Sequence, residues 1–498
     1  MNDLRSFGRV FLFGRHALAI GQVVPFLKDR WERENGYRQV LVIAFPLVLS
    51  LGAISIALFV DRMFLAWYSS EALAASMPAG MLNFALMTLF IGTAGYTNTF
   101  VAQYLGAGQD KRIGPVVWQG IYVSLIGGVM LLAIVPFTGV FFEFVGHEPA
   151  IRDLEADYFS ILCLGAMPMI ADSAMAGFFS GRGKAWPVMW INVMSTAVNA
   201  LMDYLLIFGN WGFPELGING AAIATVIASS SQIGVYAVLL MRPEHNLRFR
   251  TLAGWRFNRD LFARVVRYGL PNGVQFFVDM IGFSVFILLM GRLGTVPLAA
   301  SNMALNVSIL AFLPMIGVGI AVSVLVGQSL GRNRPDLAER SVYSGGQMAF
   351  IYMSAAAILY VVIPDILLKP FAAEADPAEF AEMRPIAIVA LRFVAVFSIF
   401  DTLNVVFASA LKGAGDTRFI MLMALVVSSG ALAIPSYVAL VLLGADIYVA
   451  WGILTAYIII LGFSFLARFL GGKWKSMRVI EEELTVAAPV PVGDAAMD

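Results

Sequence analysis

Apolar stretches of about twenty or more residues recur along this chain from near residue 39 to near residue 470, and each is long enough to cross a bilayer as an α-helix. Only 13% of the 498 residues are charged. A soluble domain usually has about 25% charged residues, so a soluble globular fold is excluded. The sequence therefore predicts an all-α membrane protein.

Charged residues, glycines and prolines divide the apolar part of the chain into twelve candidate transmembrane helices. A duplication of six helices would account for this number. The predicted spans cover residues 39–66, 72–105, 115–142, 156–180, 186–209, 219–241, 263–290, 297–330, 342–368, 386–411, 419–442 and 447–470.

Basic residues are distributed unequally between the two sides of the predicted bundle. If the N-terminus is inside, 27 of the 33 Lys and Arg residues lie on the inner side and 4 on the outer side. Because Lys and Arg accumulate in cytoplasmic loops, both termini are predicted to be cytoplasmic. The acidic outer segments 143–157 and 374–382 are predicted to be solvated loops. The formal net charge is zero, and no charge run indicates a nucleic-acid partner.

The chain contains an internal repeat. A shift of 225 residues superposes two motifs of the first half on the second, and a shift of 232 superposes a third. An even number of spans separates the copies, so both begin on the same side of the membrane, as in a parallel repeat. The matched pairs are Pro46 with Pro271, VAQYLG (101–106) with VGQSLG (326–331), and SGRGK (180–184) with KGAGD (412–416).

The repeat divides the chain into two six-helix lobes joined by one long polar segment. Two lobes joined in this way can rock about a central cleft, which is what alternating access requires. A duplicated channel or scaffold is the alternative. The predicted parts are a cytoplasmic N-terminal segment (1–36), an N-lobe (37–241), a cytoplasmic linker (242–262), a C-lobe (263–470) and a cytoplasmic tail (471–498).

Four carboxylates lie within predicted spans. Inserting a charged carboxylate into the membrane costs a few kcal/mol, so each position is expected to have a functional or structural role. Three of them have an amide three or four residues away on the same helix face: Asn199, Gln275 and Asn404. Carboxylate and amide oxygens suit hard cations, and a carboxylate also binds protons, so Na⁺ and H⁺ are both candidates. A structural cap or an interhelical hydrogen bond is the alternative for each. The four carboxylates are Asp61, Asp203, Asp279 and Asp401.

Depth in the membrane relates two of these carboxylates. Counted from the cytoplasmic helix ends at about 1.5 Å per residue, Asp279 lies near 24 Å and Asp401 near 15 Å. The two are therefore predicted to be close enough in depth to share a site.

Several spaced motifs, in the same order in both halves, resemble signatures of the MATE (multidrug and toxic compound extrusion) family. The resemblance covers about residues 37–470 and is greatest to the bacterial NorM-like branch. The resemblance implies a secondary active exporter of organic, often cationic, compounds in a bacterial inner membrane, driven by antiport with Na⁺ or H⁺. The motifs are PLVLSLGAISIALFVDRMFLAW from Pro46, VAQYLGAGQDKR from Val101, VNALMDYLLIFGNWGFPELGINGAAIAT from Val198 and FASALKGAGDTR from Phe407.

The same resemblance implies two cation sites, each able to hold Na⁺ or a proton. The N-lobe site would consist of Asp61, Asn199 and Asp203. The C-lobe site would consist of Asp279 and Asp401, with Gln275 and Asn404 as further oxygen ligands. NorM-like proteins have Glu where this chain has Asp279, which is a departure from the family pattern.

Four phenylalanines near these carboxylates are candidates to line a substrate cleft for flat organic cations: Phe276, Phe277, Phe400 and Phe407. Helix packing is the alternative for each of them. Asp172, in the fourth span, is a further candidate for the cleft, and a capping role is the alternative.

Two other functions are weighed. A flippase for lipid-linked sugars or another lipid would be expected to have several basic residues in its cavity, but only Arg62 and Arg392 lie within spans. A membrane enzyme would need a metal cluster or a catalytic loop, whereas His16, His147 and His245 fall in separate segments. We therefore expect no catalysis and no cofactor beyond the coupling ion. The expected partners are small organic substrates and membrane lipid, and the expected state is a monomer.

Overall fold

The structure is a computed structural model that describes residues 28–145, 149–372 and 376–481. Within these ranges the regular structure is helical, and no β-strand occurs. Most of the predicted N-terminal segment, with His16, lies outside the described residues, as do His147 and residues 482–498 of the predicted tail.

The α-helices of the described ranges are numbered in chain order, and short 3₁₀ or π-helical turns connect some of them. They are α1 (Tyr37–Tyr68), α2 (Ser70–Gly95), α3 (Thr97–Gly106), α4 (Ile113–Leu132), α5 (Thr138–Val145), α6 (Pro149–Leu164), α7 (Ala166–Ser180), α8 (Trp186–Phe208), α9 (Ile218–Leu240), α10 (Pro243–Phe249), α11 (Arg259–Gly291), α12 (Thr295–Gly331), α13 (Pro335–Val362), α14 (Pro364–Ala372), α15 (Pro377–Ala414), α16 (Thr417–Val427), α17 (Ile434–Tyr437) and α18 (Ile447–Leu470).

Among the described residues, eleven helical stretches are long and apolar enough to span a membrane, and a bent pair supplies the twelfth. The predicted all-α fold of twelve spans in two six-helix halves is therefore confirmed. The bent pair is α6 and α7, which meet at 44° around Gly165. Pro168 has no N–H to bond the carbonyl oxygen of Leu164, the last residue of α6, which interrupts the helix at this point. A Cβ at Gly165 would lie 2.3 Å from Val226 on α9, so glycine permits the close approach of α9 at the bend.

Helices extend further than the sequence predicted at two places. The acidic segments predicted as solvated loops belong in part to α6 and α15, and Glu155 on α6 is fully buried. In the predicted linker, α10 is helical and α11 begins at Arg259. These helices begin with polar residues, such as Asp376, which caps α15, so the hydropathy of the sequence did not reveal where they start.

The two halves meet through their repeated motifs at one end of the bundle. We call this the basic end, because α1 begins and α12 ends there, beside Arg38, Arg112, Arg182 and Arg332. A Cβ at Gly106 would lie 2.1 Å from the Gln328 carbonyl oxygen, and one at Gly331 would lie 2.2 Å from the Gln103 carbonyl oxygen. Each half therefore places a glycine against the backbone of the other half.

Hydrogen bonds cross between the halves in the same symmetric way. Gln103 Nε2 donates to the Gly413 carbonyl oxygen over 2.9 Å, and Gln328 Nε2 donates to the Gly181 carbonyl oxygen over 2.9 Å. Gln103 and Gln328 are equivalent in the repeat, as are Gly181 and Gly413. We call these four residues the basic-end lock. Their arrangement shows that the sequence repeat is a structural pseudosymmetry.

Further along the bundle, small residues bring the two halves together near mid-span. A Cβ at Gly273 on α11 would lie 2.0 Å from the Leu89 carbonyl oxygen on α2, and Asn272 Nδ2 donates to the Gly92 carbonyl oxygen over 2.8 Å. Close packing through small residues is a common form of helix association in membranes. This contact fixes α11, the helix that carries Asp279, against α2.

Candidate functional site

In the first half, α1 and α8 bring two carboxylates together. Asp61 and Asp203 are both buried, and their charges are close enough to act on each other. Asp203 has no hydrogen-bond partner for either carboxylate oxygen among the described residues, and Asp61 has none for Oδ1. Buried Asn199 lies one turn from Asp203 on the same face. Tyr158 on α6 is near both carboxylates. These unsatisfied oxygens can accept a proton or a small hard cation.

A polar network that the sequence analysis did not identify holds α1 against α8. Gln232 Nε2 on α9 donates to Asn192 Oδ1 over 2.6 Å, and Asn192 Nδ2 donates to Ser50 Oγ on α1. Thr196 Oγ1 donates to the Ala53 carbonyl oxygen over 2.9 Å. Asn192 lies two turns before Asn199 on α8, and this spacing was the available signal. The network fixes the register that places Asp61 beside Asp203.

In the second half, α11 and α15 bring the four predicted C-lobe residues together. Gln275 Nε2 donates to Asp279 Oδ2, and Asn404 Nδ2 donates to Asp401 Oδ1 over 2.9 Å. The charges of Asp279 and Asp401 act on each other, and Tyr457 on α18 is near both. Each carboxylate thus keeps an amide neighbour from its own helix and faces a second carboxylate from the other helix.

Lys412 is a charged neighbour of this pair that the sequence analysis assigned only to the cytoplasmic face. It is half-buried in the last turn of α15, and its charge acts on Asp279. Lys412 follows Asp401 by eleven residues, which is about three helical turns, so both lie on one face of α15. The C-half site therefore contains two carboxylates and a nearby ammonium group.

The aromatic candidates have different environments. Phe276 is 37% exposed and meets the Phe84 ring edge-on, and Phe277 and Phe400 are partly exposed. Phe407 is fully buried and its ring centroid lies 5.0 Å from that of Phe469, so its prediction as a cleft residue is wrong for this conformation. It contributes to the core of the second half instead.

Asp172, the remaining candidate, lies apart from the other carboxylates. It is on α7, eight residues or about 12 Å from the helix end at Ser180, whereas Asp203 is about 26 Å along α8. Its charge acts on Tyr236 on α9, and its Oδ1 has no hydrogen-bond partner among the described residues. Asp172 is thus not part of the site formed by Asp61 and Asp203.

Comparison with known proteins identifies the family. The family model described as MatE matches residues 46–205 and 271–438. This chain belongs to the MatE family. The first matched range contains Asp61, Asn199 and Asp203, and the second contains Asp279 and Asp401. The family's characteristic pattern therefore covers both candidate sites of this MATE transporter.

Curated relatives with the printed name "Probable multidrug resistance protein NorM" match this MATE transporter over most of its length. The protein from Thermotoga maritima is 24% identical, with 85% of this chain and 90% of the relative covered. The protein from Bradyrhizobium diazoefficiens is 29% identical, with 76% and 81% covered. The protein from Xylella fastidiosa is 27% identical, with 94% and 96% covered. The chain is thus a NorM-like member of a multidrug efflux transporter family.

Solved structures agree with the fold. An outward-facing structure of a multidrug resistance MATE family transporter of the MOP superfamily aligns with a TM-score of 0.80 and 17% identity, covering 89% of this chain and 98% of that one. A MOP superfamily transporter from Pyrococcus furiosus aligns with a TM-score of 0.79 and 18% identity, covering 90% and 98%. At this identity the likeness concerns the fold alone.

Proposed function

We propose that this MATE family member exports organic, often cationic, compounds across a bacterial inner membrane in exchange for Na⁺ or H⁺, by alternating access of its two halves. The observation that carries the proposal is a set of carboxylates within the spans: buried Asp61 and Asp203 in one half, and buried Asp401 with half-buried Asp279 in the other. The relatives named for multidrug resistance support small organic substrates. The working unit is a monomer, because one chain supplies both halves.

The C-half site suggests how ion and substrate are coupled. Asp279 and Asp401 together carry up to two negative charges, and Lys412 offsets part of that charge. A site with so little net negative charge holds one additional cation more readily than two. Na⁺ or a proton therefore competes with an organic cation for Asp279 and Asp401, and this competition is a coupling free energy between the two ligands.

The closed basic end supports a direction of access. Because basic residues mark the cytoplasmic side, the basic-end lock closes the protein toward the cytoplasm. In this arrangement the site faces the outer side, where partly exposed Phe276 and Phe84 offer an apolar surface. Inward access requires the lock to open. Both chain termini then lie in the cytoplasm.

The proposal is tested with purified protein in proteoliposomes. Efflux of a cationic dye is measured under an imposed Na⁺ gradient or an imposed pH gradient. Asp401→Asn and Asp279→Asn are expected to abolish gradient-driven efflux, and Asp279→Glu is expected to retain it. Asp260→Asn is the matched control, because Asp260 is an exposed aspartate at the start of the same helix as Asp279. Full transport by Asp401→Asn would refute the C-half site.

The N-half site is tested in the same assay. Asp203→Asn removes a titrating ligand, so it is expected to change the Na⁺ or pH dependence of efflux as well as its maximum rate. Curves that keep the parent's ion dependence, at matched protein amount, would assign coupling to Asp279 and Asp401 alone.

A further inference from the structure

A large cavity of about 820 Å³ lies at the basic end, outside both carboxylate sites. Its walls are the turn before α4, the first turn of α4, the end of α10 with the linker that follows it, and Glu481 of the C-terminal segment. The volume is within the usual range of about 300–1,000 Å³ for small-molecule sites. The linker that forms one wall is also the covalent connection between the two halves.

The cavity has an excess of positive charge. Its two carboxylates are already paired, since Arg248 Nε lies 2.6 Å from Asp110 Oδ2 and Arg264 Nη1 lies 3.0 Å from Glu481 Oε1. Four further basic residues line the cavity and form no ion pair with any described residue. Like charges gathered in one cavity repel one another, and an anion would offset that repulsion. The four residues are Lys111, Arg112, Arg250 and Arg256.

The wall that carries two of these cations is held tightly in place. A Cβ at Gly114 would lie 2.5 Å from the Arg250 carbonyl oxygen, and one at Gly254 would lie 2.7 Å from the backbone nitrogen of Pro115. Arg250 has φ of 55°, a left-handed conformation that is uncommon for a side chain other than glycine. Trp118 Nε1 donates to the Thr251 carbonyl oxygen over 2.6 Å. The cavity is thus a fixed part of the fold.

Exposed apolar side chains flank the same cavity. Leu247 is 81% exposed, and Trp255 and Phe257 are 59% and 58% exposed. Tyr122 OH donates to the Trp255 carbonyl oxygen. Tyr122 lies nine residues into α4, or about 14 Å, so the linker descends along the membrane-spanning helix. Aromatic side chains at this depth are typical of the membrane interface.

We propose that the cavity binds the headgroup of an acidic phospholipid from the leaflet at the basic end. Arg250, Arg256, Lys111 and Arg112 hold the phosphate, and the acyl chains pass Trp255 and Phe257. Basic pockets beside transmembrane helices on the cytoplasmic side bind such headgroups. The exposed apolar flank favours a lipid over a free phosphate. The bound lipid fastens the linker to α4 and so limits the relative motion of the two halves.

The test measures lipid binding to the purified full-length protein in detergent, by native mass spectrometry and by thermal stability. Phosphatidylglycerol is expected to bind and stabilise the parent protein, whereas phosphatidylcholine is not. The double variant Arg250→Gln with Arg256→Gln is expected to lower phosphatidylglycerol affinity about 30-fold, from about 1 kcal/mol for each basic residue near an anionic headgroup. The double variant Arg418→Gln with Lys473→Gln removes two exposed charges at the same end but outside the cavity, and it is expected to bind like the parent.

A second double variant, Lys111→Gln with Arg112→Gln, changes the wall beside α4 instead of the linker. It keeps the test valid if the first double variant fails to fold. Equal phosphatidylglycerol affinity in the parent and both pocket variants would overturn the site. Equal binding of phosphatidylcholine would overturn the role of charge. Stabilisation by inorganic phosphate or glycerophosphate equal to that by phosphatidylglycerol would overturn the lipid assignment. None of these outcomes depends on gradient-driven efflux, so failure here is distinguishable from failure of the proposed exporter.

Discussion

The basic-end lock provides the most direct test of motion between the two halves. Gln328→Ala removes the hydrogen bond from Gln328 Nε2 to the Gly181 carbonyl oxygen. A hydrogen bond of this kind contributes about 0.5–1.5 kcal/mol net, so the open form of the basic end should rise about 2- to 13-fold relative to the closed form. Gln103→Ala removes the equivalent bond to Gly413 and also the bond that Gln103 Oε1 accepts from the backbone N–H of Val479. The two lock bonds alone should shift the equilibrium by about 1–3 kcal/mol in the double variant if they act independently.

The population of the open form can be measured by spin-label distances. The chain has a single cysteine, Cys163, which is buried, so Cys163→Ala provides a background for labelling. Labels at Lys184 and Arg418 are suitable, since both side chains are exposed and lie three and five residues after Gly181 and Gly413. The lock variants are expected to add or enlarge a second distance component.

A buried glutamine outside the lock serves as the control. Gln119 Nε2 donates to the Pro115 carbonyl oxygen over 3.1 Å, and Gln119 Oε1 accepts the backbone N–H of Asn258 in the linker over 3.4 Å. Gln119→Ala therefore removes a similar amide without touching the lock. It is expected to leave the distance distribution unchanged. If both single lock variants and the double variant give the parent distribution, the reasoning that these bonds hold the basic end closed is refuted.

Three further predictions follow from contacts elsewhere in the molecule. Gly106→Ala places a methyl group 2.1 Å from the Gln328 carbonyl oxygen, so the closed basic end should lose about 1–3 kcal/mol, measured as a larger open component in the same distance assay. Lys412→Gln removes the ammonium group beside Asp279, so affinity for Na⁺ or a cationic dye should rise while efflux slows, measured by calorimetry and proteoliposome transport. Burial lowers the pKa of His245 below its ordinary 6.5; linker docking should weaken as pH falls through 6.5, measured by hydrogen exchange, and His245→Gln should remove this dependence.

The sequence predicted the fold well because a membrane imposes a simple requirement on length and hydropathy. The predicted spans correspond to helices of the structure, and the repeat predicted which segments would be equivalent. The bend at Gly165 was not predicted, although Gly165 and Pro168 within the fourth span were the available signal. The start of α11 at Arg259 was also missed, because hydropathy does not distinguish a polar helical turn outside the bilayer from a polar loop.

The candidate sites show the same division between local and tertiary information. Spacing along one helix placed Gln275 beside Asp279 and Asn404 beside Asp401, and both pairs are hydrogen-bonded in the structure. Lys412 was missed, since its approach to Asp279 depends on where the bundle places α15 relative to α11. Which helix faces which neighbour is information that spacing along one helix does not contain.

The basic-end lock is symmetric in its two hydrogen bonds but not in its surroundings. Gln103 Oε1 also accepts the backbone N–H of Val479 over 2.8 Å, whereas Gln328 makes no equivalent bond to a chain terminus within the described residues. Two residues further on, Glu481 accepts a hydrogen bond from Tyr104 and forms an ion pair with Arg264. The C-terminal segment therefore bonds directly to Gln103, whereas beside Gln328 it is Asn35, in the segment before α1, that donates to Ser329 Oγ over 2.8 Å. Opening of the basic end must release a different segment at each of the two glutamines or carry that segment along.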